Sequence, residues 1–171
     1  MNKRCRPSLL WIVQLAIGIL PSTRFFLLKC CLLRICGIDI HSSARLCSSV
    51  RILTSGHLAI GAGTFIGHEV LIGSGDTSIN IGSQCDIAPR VTIISGSHEI
   101  AVAGPRAAGI GNSKPIVIED GVWIGVGSII LGGVRIGEHS VIGAGSVVVS
   151  DIPSHCVAVG SPCRIIRSIS V

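Results

Sequence analysis

Six histidines (His41, His57, His68, His98, His139 and His155) are the side chains best suited to moving a proton near neutral pH. A neutral imidazole can take the proton of a hydroxyl as its oxygen attacks an activated carbonyl, which contributes about 10²–10⁴-fold. His98 is set apart by context. Ser97-His98-Glu99 opens an excursion from His98 to Pro115, rich in Gly and Ala, that interrupts a regular repeat. A long loop in such an array is usually functional or disordered. His139 lies in the final repeats and reads as a solvated turn residue, and His41, His57 and His155 have no motif around them. Eight cysteines raise the question of metal, but there is no CxxC pair, so structural zinc has little support. Cys30, Cys31 and Cys36 sit in an apolar stretch, and Cys47 and Cys85 at repeat positions. They read as reduced thiols of a cytosolic protein, behaving as small hydrophobes.

The elements that must position these groups follow from the repeat. An aliphatic residue recurs every six positions at Ile118, Ile124, Ile130, Ile136, Ile142 and Val148. The same beat runs through Ile60, Ile66 and Ile72, then Ile81, Ile87 and Ile93, with a fainter start at Ile40, Leu46 and Ile52. Apolar residues at this spacing drift around a helix, but suit short strands joined by tight turns in a β-solenoid, three hexapeptides to a triangular coil. Gly often follows the aliphatic residue, as at Gly125, Gly137 and Gly143, and is expected to adopt a turn conformation closed to residues with a Cβ. A small residue four places after the aliphatic one, such as Ser128, Ser140 or Ser146, fits a narrow interior. Between Ile72 and Ile81 the surplus Gly75-Asp76-Thr77 predicts a small bulging turn.

Composition agrees. With 171 residues, 22 Gly, 48% apolar residues, 3% aromatics and no Tyr, the core must be stacked aliphatic side chains rather than rings. The formal charge of +5 gathers near the ends, at Lys3, Arg4, Arg6, Arg24, Lys29 and Arg34, and at Arg164 and Arg167. The centre lacks basic clusters, which argues against nucleic acid. Residues 1–37 read as two short helices broken at Pro21, with Ser22 or Thr23 capping the second. The run Leu9 to Leu20 is too short to span a bilayer, so the segment either covers one end of the domain or lies in a membrane interface. Residues 38–171 form the repeat domain, with an inserted loop at 98–115.

The run IGVGSIILGGVRIGEHSVIGAGSVVVSDI, Ile124 to Ile152, resembles the hexapeptide-repeat transferase signature. Pro115 to Gly125 and the end Val159-Gly160-Ser161-Pro162-Cys163-Arg164-Ile165-Ile166-Arg167 resemble its flanks. The likeness covers roughly residues 38–167, nearest to the galactoside, maltose, nodulation-factor and surface-polysaccharide O-acetyltransferases. It implies an all-β fold, a left-handed parallel β-helix assembled as a homotrimer, with acetyl-CoA in the groove between subunits and no metal. It implies transfer of acetyl to a sugar hydroxyl in surface-polysaccharide biosynthesis, with N-acetylation of an amino sugar as the alternative. It places the catalytic base at His98 and the cofactor groove at Trp123, Val126, Ala144, Val149 and Ser150, the last where the family often has Lys. Arg164 and Arg167 match its two C-terminal arginines, whose guanidinium groups suit phosphate. Read without gaps back from His98, Asp76 falls on an acceptor-binding Asp and His68 on an acceptor-binding Asn. Glu99, Asp86 or a backbone carbonyl orients His98. The carbohydrate acceptor suits a cytoplasmic enzyme, at the inner face of the membrane if the N-terminal segment lies there. A zinc hydratase on the same helix, resembling γ-type carbonic anhydrases, would need a third converging His beside His68 and His98, and none is evident. A β-helix serving only as a scaffold would bind no acetyl-CoA.

Overall fold

Every sixth side chain turns inward, and the chain climbs as a stack of triangular coils. The structure, a computed structural model, describes residues 5–170; Lys3, Arg4 and Val171 lie outside the described residues. Two helices come first, α1 (Pro7–Gly18) and α2 (Phe26–Ile35). Pro7 occupies the first turn, where its missing N–H costs nothing. The expected cap at Ser22 or Thr23 does not form. Phe25 precedes α2 in a left-handed conformation, φ 53°, with no side-chain cap. The Lys29 ammonium donates to the carbonyls of Pro21 (3.1 Å) and Ser22 (2.6 Å). That fixes the turn, so the helix starts beyond it.

The first coil contains β1 (Asp39–Ile40), β2 (Arg45–Leu46) and β3 (Arg51–Thr54). The second contains β4 (His57–Ile60), β5 (Phe65–Ile66) and β6 (Leu71–Ser74), and the third β7 (Ser78–Ile81), β8 (Asp86–Ile87) and β9 (Thr92–Ile94). A hairpin of β10 (Gly96–Ile100) and β11 (Ala108–Ser113) then leaves the stack. The fourth coil is β12 (Ile116–Ile118), β13 (Trp123–Ile124) and β14 (Ile129–Leu131), and the fifth β15 (Arg135–Ile136), β16 (Val141–Ile142) and β17 (Val147–Val148). β18 (Cys156–Val159) adds one more rung, and β19 (Arg164–Ser168) folds back on it antiparallel. The excursion expected as a loop over 98–115 is therefore strand-paired, and it begins at Gly96.

These strands form three parallel faces of a left-handed β-helix. The first is β1-β4-β7-β12-β15, the second β2-β5-β8-β13-β16-β18 with β19 at its end, and the third β3-β6-β9-β14-β17. Each face is an aliphatic ladder. Ile60 stacks on Ile81, then Ile118 and Ile136; Ile66 on Ile87, Ile124 and Ile142; Ile72 on Ile93, Ile130 and Val148. All are buried, each contributing about 1.5–3 kcal/mol of transfer energy. Thr64, Ser128, Ser140 and Ser146, four residues after ladder positions, are also buried, and their hydroxyls bond backbone carbonyls.

The glycines work differently from expectation. Those directly after the ladder residue have no left-handed φ. They are needed because successive coils touch there: a Cβ at Gly125 would lie 2.6 Å from the Ala144 nitrogen, and one at Gly61 2.5 Å from the Gly82 carbonyl carbon. The left-handed conformation falls two residues later, at Gly121, Gly127 and Gly145 but also at Glu69, Gln84, Arg90, His139 and His155.

The helices close the open end of the stack. The first coil has no coil beneath it, so its downward carbonyls would be unpaired, a costly state. One long side chain answers on each face: Arg34 donates to the Ile40 carbonyl (2.7 Å), Lys29 to Leu46 (3.2 Å) and Gln14 to Ile52 (3.0 Å). The Gln14 amide oxygen also accepts the Ile52 N–H at 2.7 Å, so this side chain pairs with β3 as a neighbouring strand would.

Candidate functional site

The hairpin is rooted at the corner between the third and first faces. Ser95, buried, donates its N–H to the Gly73 carbonyl (2.9 Å), and its hydroxyl accepts the Gly75 N–H (3.2 Å). Lys114 N–H returns to the Ser95 carbonyl at 3.1 Å. A Cβ at Gly132 would stand 2.4 Å from that carbonyl oxygen, so the fourth coil presses directly on the root. From there His98 pairs across to Gly111, with a bulge between His98 and Ile100.

His98 is exposed, and its Nδ1 lies 3.1 Å from the Gly109 carbonyl. A carbonyl can only accept, so in the neutral ring Nδ1 carries the proton and Nε2 presents a lone pair. This is the tautomer a general base needs. Among the described residues neither Glu99 nor Asp86 bonds the ring; Asp86 points out from the second face between Phe65 and Trp123. The orienting group is a backbone carbonyl, and no residue type in the sequence marks it.

His68 is held by two hydroxyls rather than a carbonyl. It sits at the corner between the second and third faces, its Nδ1 3.3 Å from Ser49 Oγ and 3.2 Å from Ser22 Oγ. Ser49 Oγ also accepts the Glu69 N–H at 3.1 Å. The ring is exposed, and hydroxyl partners accommodate a proton on either ring nitrogen. Beside it Glu69 and Arg90 form an exposed ion pair at 2.7 Å. The hydrogen bond from Arg90, and then its charge, hold the Glu69 carboxyl below the usual range.

Asp76 lies in the turn one coil below the hairpin root, exposed, accepting from Ser55 Oγ at 3.2 Å. Trp123 projects from the second face, 55% exposed. Val126 and Ala144 lie in successive coils at the corner after that face, where Gly145 N–H donates to the Val126 carbonyl (2.9 Å). Val149 and Ser150 follow β17 at the other edge of the third face, exposed. Arg164 and Arg167 lie on β19, both exposed. A Cβ at Gly127 or Gly145 would meet nothing within 4 Å. The corner beside Val126 and Ala144 is thus open, and both side chains are exposed. Among the described residues no cluster of three or more His, Cys, Asp or Glu could hold a metal.

One chain does not bring all of these together. His98, Asp76, Val149 and Ser150 belong to the corner on one side of the third face; Val126, Ala144 and His68 belong to the corner on the other, with Trp123 and the two arginines on the second face.

The family described as bacterial transferase hexapeptide (six repeats) matches residues 115–150. Galactoside O-acetyltransferase of Lactococcus lactis is 45% identical over 95 residues, 56% of this chain and 45% of that protein. The chain spans about half the length of the curated relatives it matches. Among solved structures, a hexapeptide-repeat-containing acetyltransferase of Vibrio cholerae, complexed with acetyl coenzyme A, superposes with a TM-score of 0.84. It is 31% identical, covering 96% of this chain and 87% of that one. A galactoside acetyltransferase in complex with coenzyme A gives 0.83, also at 31% identity, over 96% of this chain and 80% of its own. With nearly the whole chain following the same coils at this identity, it belongs to the hexapeptide-repeat acetyltransferase family.

Proposed function

We propose that the chain transfers an acetyl group from acetyl-CoA to a sugar hydroxyl, with His98 as general base. The observation that carries this is the His98 Nδ1 contact with the Gly109 carbonyl, 3.1 Å, which leaves Nε2 free to take the hydroxyl proton. The resulting imidazolium keeps its Nδ1–H on that carbonyl and returns the other proton to the departing thiolate sulfur. Trp123, Val126, Ala144, Val149 and Ser150 would line the donor's arm, and Arg164 and Arg167 would take its phosphates through paired guanidinium hydrogen bonds. The acceptor would lie between Asp76, which accepts from a hydroxyl, and the His68 ring, which hydrogen-bonds another. A galactoside is the first acceptor to try, given the relatives' names. Surface-polysaccharide synthesis is the setting we favour.

The division of site residues between two corners supports a homotrimer, with the hairpin of one copy completing the groove of the next. The test is thiol release from acetyl-CoA over a panel of glycosides. His98→Ala is expected to lower turnover about 10²–10⁴-fold while trimer mass and CoA binding persist. Turnover near that of the parent protein would end the assignment.

The N-terminal helices are placed on a membrane surface in this reading. No helix among the described residues is long and apolar enough to cross a membrane. Trp11, Ile12, Leu15, Ile19, Leu27 and Leu28 are nonetheless exposed on α1 and α2, and the chain has no Asp or Glu before Asp39. An apolar surface in a wholly basic segment suits an anionic bilayer. The full chain should sediment with phosphatidylglycerol vesicles and lose that on changing Ile12 and Leu28 to Asn. Failure of the parent chain to sediment rules the contact out.

A further inference from the structure

Between α1 and the first coil runs a depression bounded by Trp11, Gln14, Leu15, Val50, Arg51 and Leu53, with Ser48 and Ser49 also in its lining. Its volume is about 300 Å³, at the lower end of the range of about 300–1,000 Å³ for small-molecule clefts. The paired Gln14–Ile52 hydrogen bonds tie α1 to β3 beside it. Trp11, Leu15 and Leu53 are 64%, 56% and 55% exposed, and buried Val50 lines it with them. Large apolar side chains gathered around one depression mark a binding surface.

The Ser49 hydroxyl in its lining lies 3.3 Å from His68 Nδ1, so the trough adjoins the exposed His68 ring. No carboxylate lines it, which disfavours a cationic ligand. Trp11, Leu15, Val50 and Leu53 beside the Ser49–His68 pair match a molecule with an apolar tail and a hydrogen-bonding head.

We propose that this groove binds the aliphatic chain of an amphiphilic acceptor whose hydroxyl-bearing head sits at His68. This rests on the acceptor reading given above. The groove selects acceptors by their tails, and a free sugar would use only its polar end.

Calorimetry on the full chain with methyl and octyl β-galactoside, the latter below its micelle concentration, separates the two contributions. The octyl compound is expected to bind about ten-fold or more tightly than the methyl one. Leu53→Asn, at a side chain more than half exposed, should erase that ratio without unfolding the coil. Leu27→Asn, on the exposed surface of α2 outside the groove, should preserve it. His68→Ala should weaken both glycosides while keeping the ratio. Equal affinities, or an equal loss in Leu27→Asn, would overturn the groove. Thiol release with acetyl-CoA is read alongside. Tail-dependent binding with no transfer to either glycoside overturns the acceptor reading and so the identity of the occupant. Transfer with no preference for the tail overturns the groove alone.

Discussion

His98 and His68 are the same side chain set apart by what faces Nδ1. A carbonyl opposite His98 forces a proton onto that nitrogen, whereas the Ser49 and Ser22 hydroxyls opposite His68 accommodate either tautomer. Sequence context pointed to His98, because it stands where the six-residue beat breaks. It could not reveal Gly109, because a backbone carbonyl is present at every residue. The same holds for the glycines: their places in the repeat are plain from the sequence, but whether each serves φ or clearance depends on the coil above. Gly132 tests the clearance at residue scale. Its φ lies outside the left-handed region, but an added Cβ would stand 2.4 Å from the Ser95 oxygen and 3.2 Å from that of Lys114. Both are backbone atoms at the hairpin root, and neither can rotate away. Gly132→Ala is therefore expected to shift the hairpin and lower kcat/KM by about 10²-fold, the scale of a 1 Å misplacement. CoA affinity should be retained. Unchanged kcat/KM would mean the root does not position His98.

At the scale of elements, the ladder strands were legible because their signal is local and repeats. The caps were not. Gln14 and Ile52 lie 38 residues apart, and Lys29 and Leu46 17 apart, with no pattern linking them. The N-terminal segment could be read as a cover, but not as one that supplies a hydrogen bond to each face. The hairpin was similarly hidden: the Gly-rich Ala108–Ser113 carries no alternation of apolar and polar residues, since both its strands are largely exposed. Removing one cap has a definite cost. Gln14→Ala strands the Ile52 N–H and carbonyl together, each costing about 1–3 kcal/mol where water cannot reach. Gln14→Glu keeps the acceptor and loses the donor. Thermal melting should therefore rank the parent chain above Gln14→Glu, and Gln14→Glu above Gln14→Ala. A melting temperature in Gln14→Ala equal to the parent's would show that α1 is held by its apolar contacts alone.

For the whole molecule, an interior built from aliphatic ladders leaves little room for charge, and its titratable groups are mostly thiols. Cys5, Cys30, Cys36, Cys47, Cys85 and Cys163 are buried, and for each, burial pushes the thiol pKa up. An unfolded thiol ionises at about pH 8.5. Below that pH both states hold the proton and the stability is fully present; above it the unfolded chain loses protons that the folded chain keeps, and stability falls. Each fully engaged thiol contributes about −1.4 kcal/mol per pH unit. Lys29 works against this. Burial lowers its pKa, with the nearby Cys47 and Cys30 raising it less, so between that lowered value and about 10.4 the unfolded chain holds the extra proton and stability rises with pH. Six thiols oppose one amine over overlapping ranges, so the net slope is negative. In reductant, the melting temperature should be level up to about pH 8 and fall steadily towards pH 10. Replacing Cys85, which is held against the carbonyl of Glu119 at 3.0 Å, with Ala should make the fall shallower, whatever it costs in stability at pH 7. A melting temperature that stays level or climbs across that range would mean that these thiols ionise in place, with water entering the coils before they unwind.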